Sequence, residues 1–218
     1  MQNRSKLVQE IITVFEKTDP VPETELVYQD PYELIVAVIL SAQCTDKRVN
    51  LITPFFFDQF PTIESLANAT IQEVFEKIKS CSYPNNKSKH LIGMARMTIE
   101  LFDGNIPSSI EELQKLPGVG RKTANVVASV AFAIPAMPVD THVFRVAQRI
   151  GLARKSKTPR QVEDQLVEII PKDKLHDFHH WLILHGRYIC KARKPRCESC
   201  PISQFCMHYR KQKKAEDN

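Results

Sequence analysis

Four cysteines, Cys190, Cys197, Cys200 and Cys206, fall within seventeen residues at the spacing C-x6-C-x2-C-x5-C. Thiolate sulfur is a soft ligand, and four thiolates this close can enclose one metal ion or an iron–sulfur cluster. Zinc sites more often use two Cys-x2-Cys pairs, and this segment has one. Between the first two cysteines run Lys191, Ala192, Arg193, Lys194, Pro195 and Arg196, so four of six residues are cationic. A loop pinned at both ends can present such charges to phosphates at little ordering cost.

A second stretch, Leu116-Pro117-Gly118-Val119-Gly120-Arg121-Lys122-Thr123, holds two of the six glycines. Pro117 biases Leu116 away from helical dihedrals. Gly118 and Gly120 allow positive φ and close approach of another backbone. Apolar residues at helical spacing follow, from Ala124 to Phe132. The pattern reads as helix, tight hairpin, helix, with bare backbone N–H groups opening the second helix, an arrangement that attracts phosphate. Lys122, in the first turn, suits a phosphate contact. Asp140, in Pro138-Val139-Asp140-Thr141-His142, reads as a helix N-cap.

The charge distribution points the same way. Net charge is +5, but residues 187–214 carry nine Lys or Arg against Glu198 alone, a local balance of +8 that leaves −3 for the remainder. A basic segment on a mildly acidic protein implies a polyanion partner. Hydrophobic content of 43% and charged content of 25% are ordinary globular usage. The longest apolar run, Leu34 to Leu40, is too short to span a bilayer, and the amphipathic N-terminal segment does not read as a signal peptide. The expectation is a cytoplasmic protein without membrane contact, whose cysteines are not a disulfide framework.

The elements that must position these residues read as helices throughout. A helix over 4–17 ends at Pro20 and Pro22. Asp30-Pro31-Tyr32-Glu33 caps a strongly buried helix, and Thr45-Asp46 opens the next, towards Phe60. Thr70 and Glu73 form a capping box for a helix to about Lys79. Residues 82–86 read as a turn, with a helix from about Lys87 to Phe102 and a stop at Asp103-Gly104-Asn105. Ser108-Ser109 starts a short helix into the hairpin. Pro135 and Pro138 mark a break, followed by helices from Asp140 or Thr141 to Ile150, from Thr158 to Ile170, and a last long one over about Lys174–Ile189. His176, His179, His180 and His185 belong to that packed last helix and do not read as a metal site. Residues Arg210 to Lys214 read as a solvated tail. The fold class is all-α with about ten helices.

Leu-Pro-Gly-Val-Gly-Arg-Lys, Val-Asp-Thr-His and the four-cysteine spacing together resemble the endonuclease III family of DNA glycosylases, along nearly the whole chain. The resemblance implies a six-helix barrel with a helix-hairpin-helix over residues 22–135. It implies a second helical domain, residues 1–21 with 136–218, that carries a [4Fe–4S] cluster on Cys190, Cys197, Cys200 and Cys206, with DNA in the cleft between the two. It implies a bifunctional glycosylase and abasic-site lyase acting on oxidised pyrimidines in duplex DNA as a monomer. Lys122 matches the nucleophile and Asp140 the catalytic carboxylate. Gln43 falls on the DNA-inserting glutamine, and the second wedge, usually apolar, falls on Tyr83. Gly118, Gly120 and Arg121 at the bare helix start, and Lys191, Arg193, Lys194 and Arg196 of the basic loop, are the other candidate DNA contacts. Cys44 also departs, standing where many relatives have a smaller apolar residue. Two other readings compete: a monofunctional adenine-mismatch type of glycosylase, whose members lack the lysine, and a non-catalytic helix-hairpin-helix DNA-binding module.

Overall fold

The computed structural model describes residues 4–19 and 21–216; Pro20, expected to help end the first helix, lies outside them. The described residues form twelve α-helices and no strand: α1 (Arg4–Thr18), α2 (Pro31–Ser41), α3 (Asp46–Gln59), α4 (Ile63–Ala67), α5 (Ile71–Ile78), α6 (Pro84–Phe102), α7 (Ile110–Leu113), α8 (Arg121–Phe132), α9 (Thr141–Ile150), α10 (Pro159–Ile169), α11 (Leu175–Tyr188) and α12 (Met207–Glu216). Two 3-10 turns, Lys172–Lys174 and Ser203–Phe205, precede α11 and α12. The all-α expectation holds.

The chain divides into two compact units, Thr24–Ile134 and Met1–Glu23 with Pro135–Asn218. In the first, α2 is the central element. Residues Leu34 to Leu40 are all buried, so this helix is apolar on every side and packs against α3, α6 and α8. Asp30 caps it by accepting from Glu33 N at 2.8 Å, with Pro31 in the first helical position. Helix α8, which buries the small residues Ala124, Ala128 and Ser129, packs against α2.

In the second unit, α1 lays Leu7, Val8, Ile11, Ile12 and Phe15 into a core with Val143, Val146, Ala147 and Ile150 of α9 and with Phe178 and Trp181 of α11. Trp181 Nε1 donates to the Asp19 carbonyl at 2.8 Å, which fixes the chain at the end of α1. His179, His180 and His185 are buried in α11 as packed core residues. Burial pushes His180 and His185 down to about 4.

Two expectations need correction. The segment read as a turn over 82–86 already contains the start of α6: Pro84 takes the first helical position and Tyr83, at φ 54°, is the cap. Helix α4 was not expected. It has five residues, and its capping box pairs Thr62 with Ser65. The basic tail is exposed from Arg210 to Lys214 as expected, and what the structure adds is that it is helical, as α12, against α9. Gly151 ends α9 at φ +101°, and a side chain there would collide with Met207 at the start of α12.

Candidate functional sites

The hairpin is built on α7, α8 and the neighbouring α6. Leu116 and Val119 are buried and anchor the loop, and Val119 N donates to the Leu116 carbonyl at 3.1 Å. Gly118 has φ +79°, and a Cβ there would come within 2.8 Å of the His90 Cβ on α6. Both its dihedral and its surroundings demand glycine. Gly120 differs: its φ is −81°, and a Cβ would meet nothing within 4 Å. The fold leaves open space beside it. Gly120 caps α8 without a side-chain hydrogen bond, so the first N–H groups of α8 face outward uncapped. Arg121 and Lys122 follow on this helix end, and both are exposed. The sequence reading of a bare, positively polarised helix start thus has its geometry.

Asp140 is the N-cap of α9. Its side chain accepts from Val143 N at 2.7 Å, and it is half-buried on a chain otherwise buried from Ala136 to Val139. One carboxylate oxygen is committed to the cap, and the carboxylate has further lone pairs to offer.

Gln43 and Tyr83 are both exposed and both left-handed, at φ 55° and 54°. Neither is glycine, and for a bulky residue such as tyrosine this conformation is a true outlier. Strain of this sort persists where the surroundings impose it, and here they do. Ser82 Oγ donates to the Ala42 and Gln43 carbonyls at 3.1 and 2.8 Å. Lys87, only 5% exposed, donates from Nζ to the Leu40 and Ala42 carbonyls, each at 2.8 Å, and to Ser82 Oγ at 3.2 Å. This lysine closes the C-terminal end of α2, where unpaired carbonyls favour a cation. Burial holds its pKa below the usual lysine range. The sequence reading missed Ser82 and Lys87, whose partners lie some 40 positions away.

Cys190, Cys197, Cys200 and Cys206 line one cavity with Ile150, Ile189, Pro195 and Ile202. Four sulfurs around an apolar-walled space suit an iron–sulfur cluster. Burial pushes the Cys200 thiol up to about 11; a backbone hydrogen bond at Ile202 pulls the other way, and Cys206, Cys190 and Cys197 add to the rise. Four thiolates would repel one another here, so the set is complete only around a cationic centre.

Two arginines of α9 hold this loop, and the sequence reading missed both. Arg145 donates to the carbonyls of Cys190 and Gly186 at 3.1 and 2.9 Å. Arg149 donates to the carbonyls of Lys191 and Ala192 at 2.8 and 3.0 Å and to Cys190 Sγ at 3.5 Å. Their spacing of four on one helix face is the only signal the sequence carried. His185 adds a contact, Nε2 lying 3.6 Å from Cys200 Sγ. Outside this clamp Lys191, Arg193, Lys194 and Arg196 are all exposed.

Residues 36–172 match the model of the HhH-GPD superfamily base excision DNA repair protein, and residues 190–206 that of the iron-sulfur binding domain of endonuclease III. The endonuclease III of Rickettsia felis is 48% identical over 206 residues, 94% of this chain and 96% of that protein. The chain belongs to the endonuclease III family. Endonuclease III of Bacillus subtilis is 46% identical over 195 residues, covering 89% of each protein. A trapped endonuclease III–DNA covalent intermediate superposes at a TM-score of 0.91, with 40% identity, over 98% of this chain and all of the other. The cofactor of the 190–206 segment is a [4Fe–4S] cluster, and Cys190, Cys197, Cys200 and Cys206 are the thiols that line the cavity there. No helix among the described residues is long and apolar enough to cross a membrane.

Proposed function

We infer that this chain is a bifunctional DNA glycosylase and abasic-site lyase of base excision repair, with oxidised pyrimidines in duplex DNA as substrates and Lys122 as nucleophile. The observation that carries this reading is an exposed lysine in the first turn of an uncapped helix behind a Gly118-Val119-Gly120 hairpin, in a member of a DNA repair family. A non-catalytic module needs no lysine there, and the monofunctional mismatch relatives lack it. A neighbour of 40% identity captured as a covalent intermediate with DNA supports the same assignment.

The chemistry follows from the residues. A base inside a duplex is out of reach, so the damaged nucleotide is turned out of the stack. The outward N–H groups of α8 and the hairpin backbone beside Gly120 hold phosphate, with Arg121 adjacent. The neutral Lys122 amine attacks C1′, and the base leaves with the bonding electrons. The sugar opens to an imine on Lys122, whose α-proton at C2′ is acidic. Loss of that proton expels the 3′ phosphate by β-elimination. Asp140 supplies a carboxylate that moves protons at the sugar and stabilises positive charge developing there. Gln43 and Tyr83 fill the space vacated in the stack, Tyr83 by stacking. The cluster supplies, when bound, a rigid four-point anchor for residues 190–206. Lys191, Arg193, Lys194 and Arg196 then meet phosphates from a fixed loop. The protein acts as a monomer in this scheme.

Borohydride trapping on a duplex with one oxidised pyrimidine tests the scheme. A covalent protein–DNA adduct is expected. Base release without an adduct would favour the monofunctional reading, and binding without base release the non-catalytic one.

A further inference from the structure

Cys44 and Cys81 take no part in the cluster. Their sulfurs lie 3.9 Å apart although 37 positions separate them in sequence. Cys44 directly follows Gln43, and Cys81 stands two residues before Tyr83. Each thiol therefore sits at the base of one of the two segments that carry an exposed, left-handed residue. Cys44 is half-buried and Cys81 is buried, so a small reagent reaches the first and not the second. Burial and the neighbouring Cys44 push the Cys81 thiol up to about 11, while the Lys87 ammonium and Arg48 pull against this. The net direction is upward, so Cys81 rests as the thiol and attacks through a minor thiolate form that the nearby cations favour. Two buried thiols meeting inside one core would be ordinary packing. Cys81 does belong to the core and Cys44 packs against it, but the two come from separate loops and Cys44 is accessible.

We propose that Cys44 and Cys81 form a dithiol that a small-molecule disulfide converts to an intramolecular disulfide, stapling the Gln43 and Tyr83 segments together and slowing the processing of paired damage. The Cys44 thiolate attacks one sulfur of the reagent, forming a mixed disulfide and releasing one thiolate. The Cys81 thiolate then attacks the Cys44 sulfur, forming the Cys44–Cys81 bond and releasing the second thiolate. The two cysteines lose two protons and two electrons, and the reagent gains both. The sulfurs must close from 3.9 Å by about 2 Å to reach bond length. The link fixes the separation of the two segments at its DNA-free value, so they cannot follow the duplex as a nucleotide leaves it. This last step rests on the reading of Gln43 and Tyr83 as the inserting pair.

The test uses the holoenzyme incubated with oxidised glutathione, then alkylated, digested and weighed. A peptide joining Cys44 to Cys81, lighter by two hydrogens than its two halves, is expected, with the cluster's visible absorbance retained. Cys81→Ser should stop at a glutathione adduct on Cys44, and Cys44→Ser should give neither product. The linked enzyme should process an oxidised pyrimidine in duplex DNA several-fold more slowly, cleave a preformed abasic site nearly as before, and recover with dithiothreitol. No linked peptide, or a stable glutathione adduct on Cys44 of the unaltered chain, would overturn the dithiol. A linked enzyme with unchanged rates, or with equal losses on both substrates, would overturn the staple. Tyr83→Ala in the reduced enzyme checks the insertion reading separately, and the peptide result stands whichever way that falls.

Discussion

Ser82 donates its hydroxyl hydrogen to the Gln43 carbonyl at 2.8 Å, binding together two segments whose exposed residues are both left-handed. With Lys87 reaching the Leu40 and Ala42 carbonyls from below, the strained conformations of Gln43 and Tyr83 are held from one side. A tyrosine kept at φ 54° and 61% exposed does no work for the core.

Tyr83→Ala should therefore leave the melting temperature nearly unchanged. Base–aromatic stacking contributes about 1–3 kcal/mol, so the variant should release a paired oxidised pyrimidine about 10-fold more slowly. Cleavage at a preformed abasic site should change little, because no base has to be unstacked there. Single-turnover rates on the two substrates check this, and equal losses would count against insertion.

The two hairpin glycines should separate under substitution. Gly118→Ala places a Cβ at φ +79° and 2.8 Å from the His90 Cβ. It should destabilise the protein by about 1–3 kcal/mol, visible as a lower denaturation midpoint. Gly120→Ala meets neither obstacle, with φ −81° and no atom within 4 Å. Its fold should be spared while DNA affinity falls, since the open space is where a phosphate backbone would lie. Unfolding curves beside binding titrations check both. A Gly120→Ala protein that binds as well as the parent would remove the hairpin backbone from the interface.

Local signals made most of the fold legible. Asp30 with Pro31, Thr70 with Glu73, Thr158 with Pro159 and Asp140 before Thr141 all cap the helices they announce, because a cap is decided within four residues. Helix α4 was illegible because its box uses Ser65 where Glu or Gln is the usual mark, and five residues show no period. Helix α12 buries none of its described side chains fully, so it carries no apolar stripe to distinguish it from a solvated tail. The cysteine spacing was legible as a local pattern. The residues that hold it, Arg145 and Arg149, were not, since their partners lie more than 40 positions away. Lys87 stood in the sequence only as the approximate start of a helix, and folding shows it buried with its amine on the Ala42 carbonyl.

The cluster and its loop should be separable in the same way. Purified protein should be yellow-brown, with about four irons per chain. Arg193 and Lys194 are exposed and hold no backbone group of the cluster segment, so Arg193→Ala with Lys194→Ala should keep the iron. Binding should weaken at all sequences alike, and the slope of log affinity against log salt should fall by about two. Arg149→Ala removes the clamp on Lys191, Ala192 and Cys190, and iron should be lost faster to a chelator. Iron assays and salt titrations decide these. A colourless, anaerobically prepared protein with stoichiometric zinc would overturn the cluster assignment.

Lys122 and Asp140 give the sharpest test. Lys122→Gln removes an exposed amine and one cation, so folding should be untouched. Were Lys122 only a phosphate contact, binding would weaken modestly, with a salt slope smaller by about one, and turnover would survive. As nucleophile, its loss should leave binding in place and abolish base release, strand cleavage and the borohydride adduct together. Asp140→Asn keeps the side-chain oxygen that accepts from Val143 N at 2.7 Å, so α9 should stay capped and the melting temperature should hold. It removes the carboxylate charge, and single-turnover base release should fall by orders of magnitude. A Lys122→Gln protein that still forms the adduct would move the nucleophile elsewhere. An Asp140→Asn protein of full activity would leave Asp140 as a helix cap alone.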